Sequence, residues 1–353
     1  MDKESLEAKE NTKTQASYII ELLARLLAAD ASFLTAREKI LFLKKIRSLT
    51  EEEFALLTLD DISFCVKRTF SRVKWNAKDS LKKVKIAQKI MNAQRISATC
   101  ILDSDFPALL RLIPDPPFLL FYRGNLEILK KKCVSVVGTR RASVQANRAA
   151  SDFAKEACDD GLCVVSGLAF GIDAAAHKGA LLSQFPATCA VLPSGIDTIT
   201  PHSHTRLAAK ILERGGLLLS EYLPGTPAVQ FRYVQRNRIV ASLSPATLVV
   251  QAPTGSGAMI TASLALDYNR DVFFHNECFS QEALAINEFS ELQWKKVVAQ
   301  GKKNEYKMNC TPKAFVEDGA SVVHTYEEFK KVSASLPFPC ENTHGYLFDD
   351  LEN

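Results

Sequence analysis

Glycine, arginine and small polar residues cluster directly after short apolar runs in the second part of this 353-residue chain. Glycine lets the backbone approach an anion closely, and arginine offers a planar fork of donors that can grip phosphate oxygens. The segments that carry these residues are Gly138-Thr139-Arg140-Arg141, Ser166–Gly179, Leu192–Asp197, Ser220-Glu221, Arg236-Asn237-Arg238 and Gln251–Thr261. Their composition predicts a binding site for phosphate groups.

The apolar runs before these segments are uninterrupted, and helical stretches separate them. The runs are CVSVV (133–137), LCVVS (162–166), TCAVL (188–192), GLLLS (216–220), ATLVV (246–250) and DVFF (271–274), with a further strand and closing helix at 321–332. Buried strands that alternate with helices are typical of an α/β fold with a mostly parallel sheet. Because ligands of such sheets bind beyond the carboxyl ends of the strands, we expect the polar segments to meet at one edge.

The region before the sheet predicts a small all-α domain over residues 1–99. Apolar residues recur at spacings of three and four over 18–27 and 37–46, and Thr50 with Glu53 forms a capping-box pattern at the start of another helix. The sheet domain is predicted over 100–332, with a short strand at 118–122 and a polar insertion at about 281–313. Residues 333–353 are expected to form a flexible tail.

Composition and cysteine usage predict a cytoplasmic protein without a membrane segment. No apolar run approaches the length of a membrane span, and the polar residues 1–15 lack the apolar core of a signal peptide. The nine cysteines form no Cys-x-x-Cys pair, which favours buried, reduced thiols. The pair His202 and His204 lacks neighbouring cysteines or acids and is typical of a surface loop, so we expect no metal.

The net charge of +4 neither requires nor excludes a nucleic-acid partner. The charges are unevenly distributed, because residues 67–95 form a basic stripe in which Asp79 is the sole acid. Such a stripe favours binding to a phosphate backbone, but it is also typical of a solvated helix face. Both interpretations stay open from the sequence.

Several of these segments together resemble the DNA-processing protein A (DprA/Smf) family. The matching segments are FPALLRLIPDPPFLLFYRGN, VVGTRRAS, SGLAFGIDAAAHKGAL, VLPSGIDTITP, GGLLLSEY, QRNRIVASLS and SGAMITASLALDYNRDVF, in the family's order over roughly residues 105–274. The resemblance implies an extended Rossmann-like fold with an N-terminal SAM-like domain. It also implies a non-enzymatic homodimer without cofactors, which binds single-stranded DNA and helps to load the RecA recombinase during transformation or recombination.

The resemblance also implies roles for individual residues. It puts Arg140 and Lys178 at the DNA phosphates, adds Arg236 and Arg238 as further cations, and gives Asn237 a hydrogen-bonding or structural role. A floor of backbone amides is expected from Gly138, Ser166, Gly167 and Gly171.

Other residues of these segments are expected to be structural. Asp173 is expected to accept hydrogen bonds in a turn. His177 is expected to pack in the interior or to form hydrogen bonds, and Glu221 is expected to pair with an arginine of the pocket. Phe170 and Phe231 could stack on bases, although phenylalanine at such positions is more typical of a core.

The chain departs from the family's pattern in its last third. Gln251 stands where the family usually has an acid, residues 274–277 read FHNE where it usually has Pro-Gly, and the insertion at 281–313 is longer than usual. About twenty residues follow the last predicted helix, so we expect no winged-helix domain.

The main rival is a nucleotide phosphoribohydrolase on a related fold. Such enzymes carry P-G-G-x-G-T and a nearby catalytic acid, whereas this chain reads PTGSGA at 253–258 and offers no evident general base. A P-loop ATPase would need G-x-x-x-x-G-K-[ST], and a dinucleotide oxidoreductase G-x-G-x-x-G after the first strand. Ser166, Asp173 and His177 lack the G-x-S-x-G elbow of a hydrolytic triad.

Overall fold

The computed structural model describes residues 19–300 and 309–334 of the chain. Its strands are β1 Ser97–Cys100, β2 Leu119–Gly124, β3 Cys133–Val137, β4 Cys163–Ser166, β5 Thr188–Val191, β6 Leu217–Ser220, β7 Ala246–Val249, β8 Asp271–His275 and β9 Ser321–Val323. Its helices are α1 over 19–30, α2 Ala36–Ile46, α3 Glu51–Ala55, α4 Leu59–Val66, α5 Ala77–Gln94, α6 Ala108–Arg111, α7 Val144–Asp159, α8 Ile172–Leu182, α9 Thr205–Glu213, α10 Gln230–Ser242, α11 Gly257–Asp267, α12 Gln281–Ala299, α13 Pro312–Glu317 and α14 Tyr326–Ser333.

All nine strands form one sheet, in the order β1-β2-β6-β5-β4-β3-β7-β8-β9. Strands β3 to β9 pair in parallel, whereas β2 runs antiparallel to both β1 and β6. The mixed α/β fold and the predicted apolar strands are therefore confirmed. Strand β1 was missed, because its sequence SATC is short and half polar.

The sheet is buried on both faces, which explains why its strands read as unbroken apolar runs. Along β3, Val134 and Val136 pack with α7, α8 and α14 on one face, whereas Cys133 and Val137 pack with the opposite core. The cysteines of the described residues are free, and most are buried. This agrees with the prediction of reduced thiols.

The N-terminal helices belong to the same core as one face of the sheet. Residues of α1, α2 and α5 share a continuous apolar cluster with β2, β5 and β6. The capping box of Thr50 and Glu53 is confirmed, and Thr35 forms another with Glu38. The predicted domain boundary between residues 99 and 100 falls inside β1, so the sheet begins slightly earlier than predicted.

The predicted insertion is largely helical. Helix α12 occupies most of it, and Ser280 is its N-cap, whose hydroxyl accepts from the Ala283 amide. Ala283 is the one buried residue that α12 contributes to the described core, which explains the mixed, polar sequence. The strand and closing helix predicted at 321–332 are β9 and α14, and residues 335–353 of the predicted tail lie outside the described residues.

None of the helices in the described ranges 19–300 and 309–334 has the length and apolarity needed to cross a membrane.

Helices α7 and α8 pack closely because a glycine lies between them. A Cβ atom at Gly179 of α8 would overlap the backbone carbonyl oxygen of Ser151 on α7. We expect Gly179→Ala to lower the free energy of unfolding by about 1–3 kcal/mol, the usual cost of overpacking. Gly257→Ala is the matched control, since a Cβ there meets only the Asn237 amide nitrogen at 4.0 Å. Urea unfolding of both variants checks this, and equal stabilities would contradict the close packing.

Candidate anion-binding site

A pocket of about 820 Å³ lies beyond the carboxyl ends of β3 and β4. We call it the β3–β4 pocket. Its lining residues are Arg140–Ala142 after β3, Asn147, Arg148 and Ser151 of α7, Phe170 and Gly171 after β4, Ala174, Ala175 and Lys178 of α8, and His204. The structure therefore brings Arg140 and Lys178 together in one pocket, although their positions are 38 residues apart in a 353-residue chain.

The start of α8 lines the pocket with small residues, and Lys178, one turn further along this helix, adds a cation. Gly171, Ala174 and Lys178 follow one another at helical spacing along α8, so they line one face of that helix. Ser151 of α7 lies opposite. The small side chains leave room for a polymer backbone to approach the helices, while the long Lys178 side chain is exposed.

The charge of the pocket favours an anion. Its cationic lining residues are Arg140, Arg141, Arg148 and Lys178, and no acidic side chain lines it within the described part of the chain. Arg148 lies 3.5 Å from Asp152, but both side chains are exposed, so solvent screens this pair. The guanidinium of Arg140 lies 5.0 Å from the ring centroid of Tyr233, which holds it over α10.

Arg236 is buried below the loop that follows β4. The residue is 4% exposed, and its Nη1 donates to the Val191 carbonyl oxygen at 2.7 Å. A Cβ at Gly167 would overlap this guanidinium, so only glycine fits above it. Arg236 therefore does not line the pocket, contrary to the prediction that it contacts the DNA phosphates, and it supports from below the loop that forms the pocket wall.

Asp173 compensates the charge of Arg236 and fixes the same loop. Its Oδ2 accepts from the amides of Gly167 at 3.2 Å and Ala169 at 3.4 Å. Burial raises the pKa of Asp173, and the charge of Arg236 acts against this rise. The predicted role of Asp173 as a turn acceptor is confirmed.

The predicted amide floor needs correction. The Gly167 amide donates to Asp173 Oδ2 at 3.2 Å, so the protein itself uses this amide. The Ser166 side chain also points away from the pocket, since its hydroxyl is buried and donates to the Val136 carbonyl at 2.7 Å. The glycines are required for space instead. A Cβ at Gly138 would lie 2.8 Å from the Gln251 carbonyl oxygen. Gly171 has a φ of +71°, and a Cβ there would overlap the Thr139 carbonyl oxygen.

Arg238 lies outside the β3–β4 pocket, contrary to the prediction. Residues two apart on a helix point in nearly opposite directions, so Arg236 and Arg238 of α10 cannot face the same pocket. Arg238 instead forms ion pairs with Glu221 and, at 3.0 Å, with Asp115. The pairing predicted for Glu221 is thus found. The side chain of Asn237 donates to the Gly257 carbonyl at 3.2 Å and has a structural role at the start of α11.

Phe170 and Phe231 are exposed. Phenylalanine at such positions is more typical of a core, but neither residue is part of one here. Phe170 is 48% exposed and lines the β3–β4 pocket, with its ring centroid 4.8 Å from that of His204 in an edge-on arrangement. The Nδ1 of His204 lies 2.8 Å from the Leu168 carbonyl, which orients the imidazole. Phe231 is 62% exposed but lies outside the β3–β4 pocket, at the start of α10.

His177 is buried below the pocket and is neutral. The Thr188 hydroxyl donates to the Val164 carbonyl at 2.8 Å, so it accepts from Nδ1–H of His177 at 2.7 Å. Burial and the nearby charge of Arg236 lower the pKa of His177 to about 3. Its predicted role in packing and hydrogen bonding is confirmed.

Several cations of the basic stripe form ion pairs within the protein. Lys83 pairs with Asp30, Lys85 with Glu51, and Arg68 with Glu38. Lys78, Lys82 and Lys89 are exposed along α5. The cations of these pairs are themselves exposed and the pairs are screened by solvent, so both interpretations of the stripe stay open.

Sequence reasoning missed Arg148 and His204 as lining residues of the pocket. Arg148 lies in the middle of an amphipathic helix, where an arginine is typical of any solvated face. His204 reaches the pocket from a different crossover connection, between β5 and β6. Neither position carries a local signal, since both depend on how the helices pack.

A family model described as DNA recombination-mediator protein A matches residues 97–331. The chain is 32% identical over 269 residues to protein Smf of Borreliella burgdorferi, a match that covers 76% of this chain and 84% of that protein. The chain is also 41% identical over 172 residues to protein Smf of Escherichia coli. This match covers 48% of this chain and 46% of that protein, so the chain spans only about half the length of this relative.

Solved structures agree with these matches. The X-ray structure of DNA processing protein A (DprA) from Streptococcus pneumoniae superimposes with a TM-score of 0.64 and 29% identity, and covers 90% of this chain and 98% of that one. The structure of DNA processing protein A from Helicobacter pylori superimposes with a TM-score of 0.52 and 25% identity, and covers 68% of this chain and 96% of that one. That structure is described in terms of its single-stranded DNA binding mode.

We expect acid to destabilise the protein partly through His177. Its pKa in the folded protein is about 3, below the ordinary value of 6.5, so the unfolded chain binds a proton where the folded one does not. Its contribution to stability is therefore full above about pH 6.5 and declines as the pH falls towards 3. Between pH 7 and pH 5 this residue lowers the free energy of unfolding by about 2 kcal/mol.

Urea unfolding at both pH values checks this expectation. His177→Gln should lose less stability between pH 7 and pH 5 than the wild type. The exposed His202 offers the matched control, and His202→Gln should lose as much as the wild type. An equal loss in all three proteins would show that His177 is not held neutral.

Proposed function

Because the chain belongs to the DNA recombination-mediator protein A family, we propose that it binds single-stranded DNA in the β3–β4 pocket and acts without catalysis. The observation that carries this proposal is the convergence of Arg140 and Lys178 on one exposed pocket without an acidic lining residue in the described chain. The single-stranded DNA binding described for the Helicobacter pylori protein supports it.

The pocket suits a flexible strand held by its phosphates. Arg140 offers a two-pronged donor and Lys178 a point charge, and Arg141 and Arg148 extend the positive surface. Since phosphate contacts carry no base information, binding should be largely independent of sequence. Phe170 provides an exposed ring at the same pocket on which a base can stack.

The wider role we infer is that of a recombination mediator. In this proposal the protein protects single-stranded DNA in the cytoplasm and helps to load RecA during transformation or recombination. A homodimer would carry two β3–β4 pockets and would therefore bind long strands with higher avidity. The family relationship supports this role.

The contacts of the loop after β7 argue against a phosphoribohydrolase. This loop, residues 253–258, would have to cradle the substrate phosphate. Instead α12 covers it, because Asn287 Oδ1 accepts from the Thr254 amide at 2.9 Å and Trp294 Nε1 donates to the Thr254 carbonyl at 3.1 Å. Release of free base from nucleoside monophosphates by the purified protein would refute the non-enzymatic proposal.

We expect Arg140→Ala and Lys178→Ala each to weaken binding of an oligothymidine roughly tenfold, as loss of a charge-assisted contact predicts. The slope of log affinity against log salt should shrink by roughly 0.7 for each lost phosphate contact. Fluorescence anisotropy between low and moderate salt measures both quantities. Lys313→Ala, which removes an exposed lysine of α13, is the control. Unchanged affinity and slope in the two pocket variants would exclude this pocket.

The stacking role of Phe170 has its own test. Phe170→Ala should weaken oligothymidine binding by about 1–3 kcal/mol without changing the salt slope, because a stacked base contributes no counterion release. Phe170→Trp should retain binding. Phe185, which is 63% exposed and precedes β5, lies at the opposite edge of the sheet, so Phe185→Ala is the control. If Phe170→Ala binds like the wild type, no base stacks there.

A further inference from the structure

A second cleft, of about 750 Å³, separates the N-terminal helices from the sheet. Its walls come from residues 29–39, from 114–119 before β2, and from 221–238 around the start of α10. We call it the α2–α10 cleft. It lies at the same carboxyl edge of the sheet as the β3–β4 pocket, since Glu221 directly follows β6.

A buried ion pair in this cleft has unused hydrogen-bonding capacity. Arg238 is 8% exposed and donates through Nη2 to Glu221 Oε2. Glu221 Oε1 and Arg238 Nη1 are buried and have no hydrogen-bond partner among the described residues. Buried polar atoms without partners are rare in folded proteins, because they lose their hydration without compensation. Both atoms lie just below the surface of the cleft, so an entering group would gain an acceptor and a donor once the side chains that cover them turn aside.

These two atoms together fit a nucleobase better than a phosphate. The Glu221 carboxylate repels an anion but accepts from an N–H group, while the Arg238 guanidinium donates to a carbonyl or a ring nitrogen. Nucleobases present N–H donors beside such acceptors on one planar edge, and carboxylate and guanidinium side chains are established partners for them. A small apolar ligand would leave both atoms unpaired.

An aromatic surface lies on the same wall of the cleft. Phe231 is 62% exposed, and the Arg232 guanidinium lies 5.4 Å from its ring centroid and 5.2 Å from that of Tyr222. Both rings line the cleft. The exposed Phe231 ring and the partly exposed Tyr222 ring beside an arginine suit a planar ligand, because bases stack on aromatic and guanidinium faces alike.

The size and charge of the cleft fit a nucleotide. Its volume is within the range of small-molecule sites, and cationic side chains outnumber acidic ones along its lining. Arg232 places a positive charge beside the aromatic rings, where a phosphate attached to a stacked base would lie.

We propose that the α2–α10 cleft binds a nucleotide, with its base against Glu221, Arg238 and Phe231 and its phosphate near Arg232. The ligand is either a free mononucleotide or the terminal nucleotide of a DNA strand. This site is separate from the β3–β4 pocket and does not depend on it.

Isothermal titration calorimetry with the four deoxynucleoside monophosphates tests the site on the full chain. Arg140→Ala serves as the background, so that the β3–β4 pocket contributes little. We expect saturable binding that weakens roughly tenfold with Phe231→Ala, through lost stacking. Glu221→Gln, which removes the charged acceptor, should weaken it similarly. Phe64→Ala is the matched control, since Phe64 is an 89% exposed residue of α4 outside the cleft.

The outcomes distinguish the two proposals. No binding of any of the four nucleotides, or binding that Phe231→Ala leaves unchanged, overturns the site, and the ion pair then only joins α10 to the end of β6. Because Phe231 is on the surface, its variant should fold even if Glu221→Gln does not. Loss of oligothymidine binding in Arg140→Ala alone concerns the β3–β4 pocket and leaves this inference untouched.

A second arm identifies the source of the nucleotide. The Lys178→Ala variant is titrated with a short oligothymidine and with the same oligomer carrying an abasic terminal sugar. Residual binding of the intact oligomer alone, lost in a Phe231→Ala double variant, assigns the cleft to a strand end. Equal residual binding of both oligomers, with mononucleotides still bound, assigns it to free nucleotides.

Discussion

The guanidinium of Arg236 is buried below the loop after β4, and its charge has to be compensated there. Asp173 supplies the opposite charge and also holds the loop through the Gly167 and Ala169 amides. Gly167 has to lack a side chain because the guanidinium occupies that space. His177 stays neutral, since a second buried cation beside Arg236 would be unfavourable. The shape of the β3–β4 pocket therefore rests on two opposite charges buried below it, whereas the cations that line the pocket itself are Arg140, Arg141, Arg148 and Lys178.

The strands and the position of the pocket could be predicted because both follow from local composition. Unbroken apolar runs have to be buried on both faces, and parallel neighbours place the segments after β3 and β4 side by side, which brings Arg140 near Lys178. The predicted position of Arg238 was wrong. Helical spacing excludes that Arg236 and Arg238 face the same pocket, and the sequence does not reveal that Arg238 is paired with Glu221 and Asp115, which lie far from it along the chain. The glycine amides were also misjudged, because hydrogen bonds inside the loop depend on Asp173, several positions later.

Helix α10 connects the two candidate sites at the carboxyl edge of the sheet. Tyr233 contacts Arg140 of the β3–β4 pocket, whereas Phe231, Arg232 and Arg238 line the α2–α10 cleft. The N-terminal helices form the far wall of that cleft and share a hydrophobic core with the sheet. The helical region therefore lines the α2–α10 cleft, in addition to covering one face of the sheet.

Helix α12 limits the route that a bound polymer can take. Because Asn287 and Trp294 hold the loop after β7, the edge beyond that strand is occupied by the protein's own helix. A polynucleotide leaving the β3–β4 pocket would have to displace α12 to continue past β7. In the other direction the same edge continues past the ends of β5 and β6 to the α2–α10 cleft, so α12 makes the two directions along the edge of the sheet unequal.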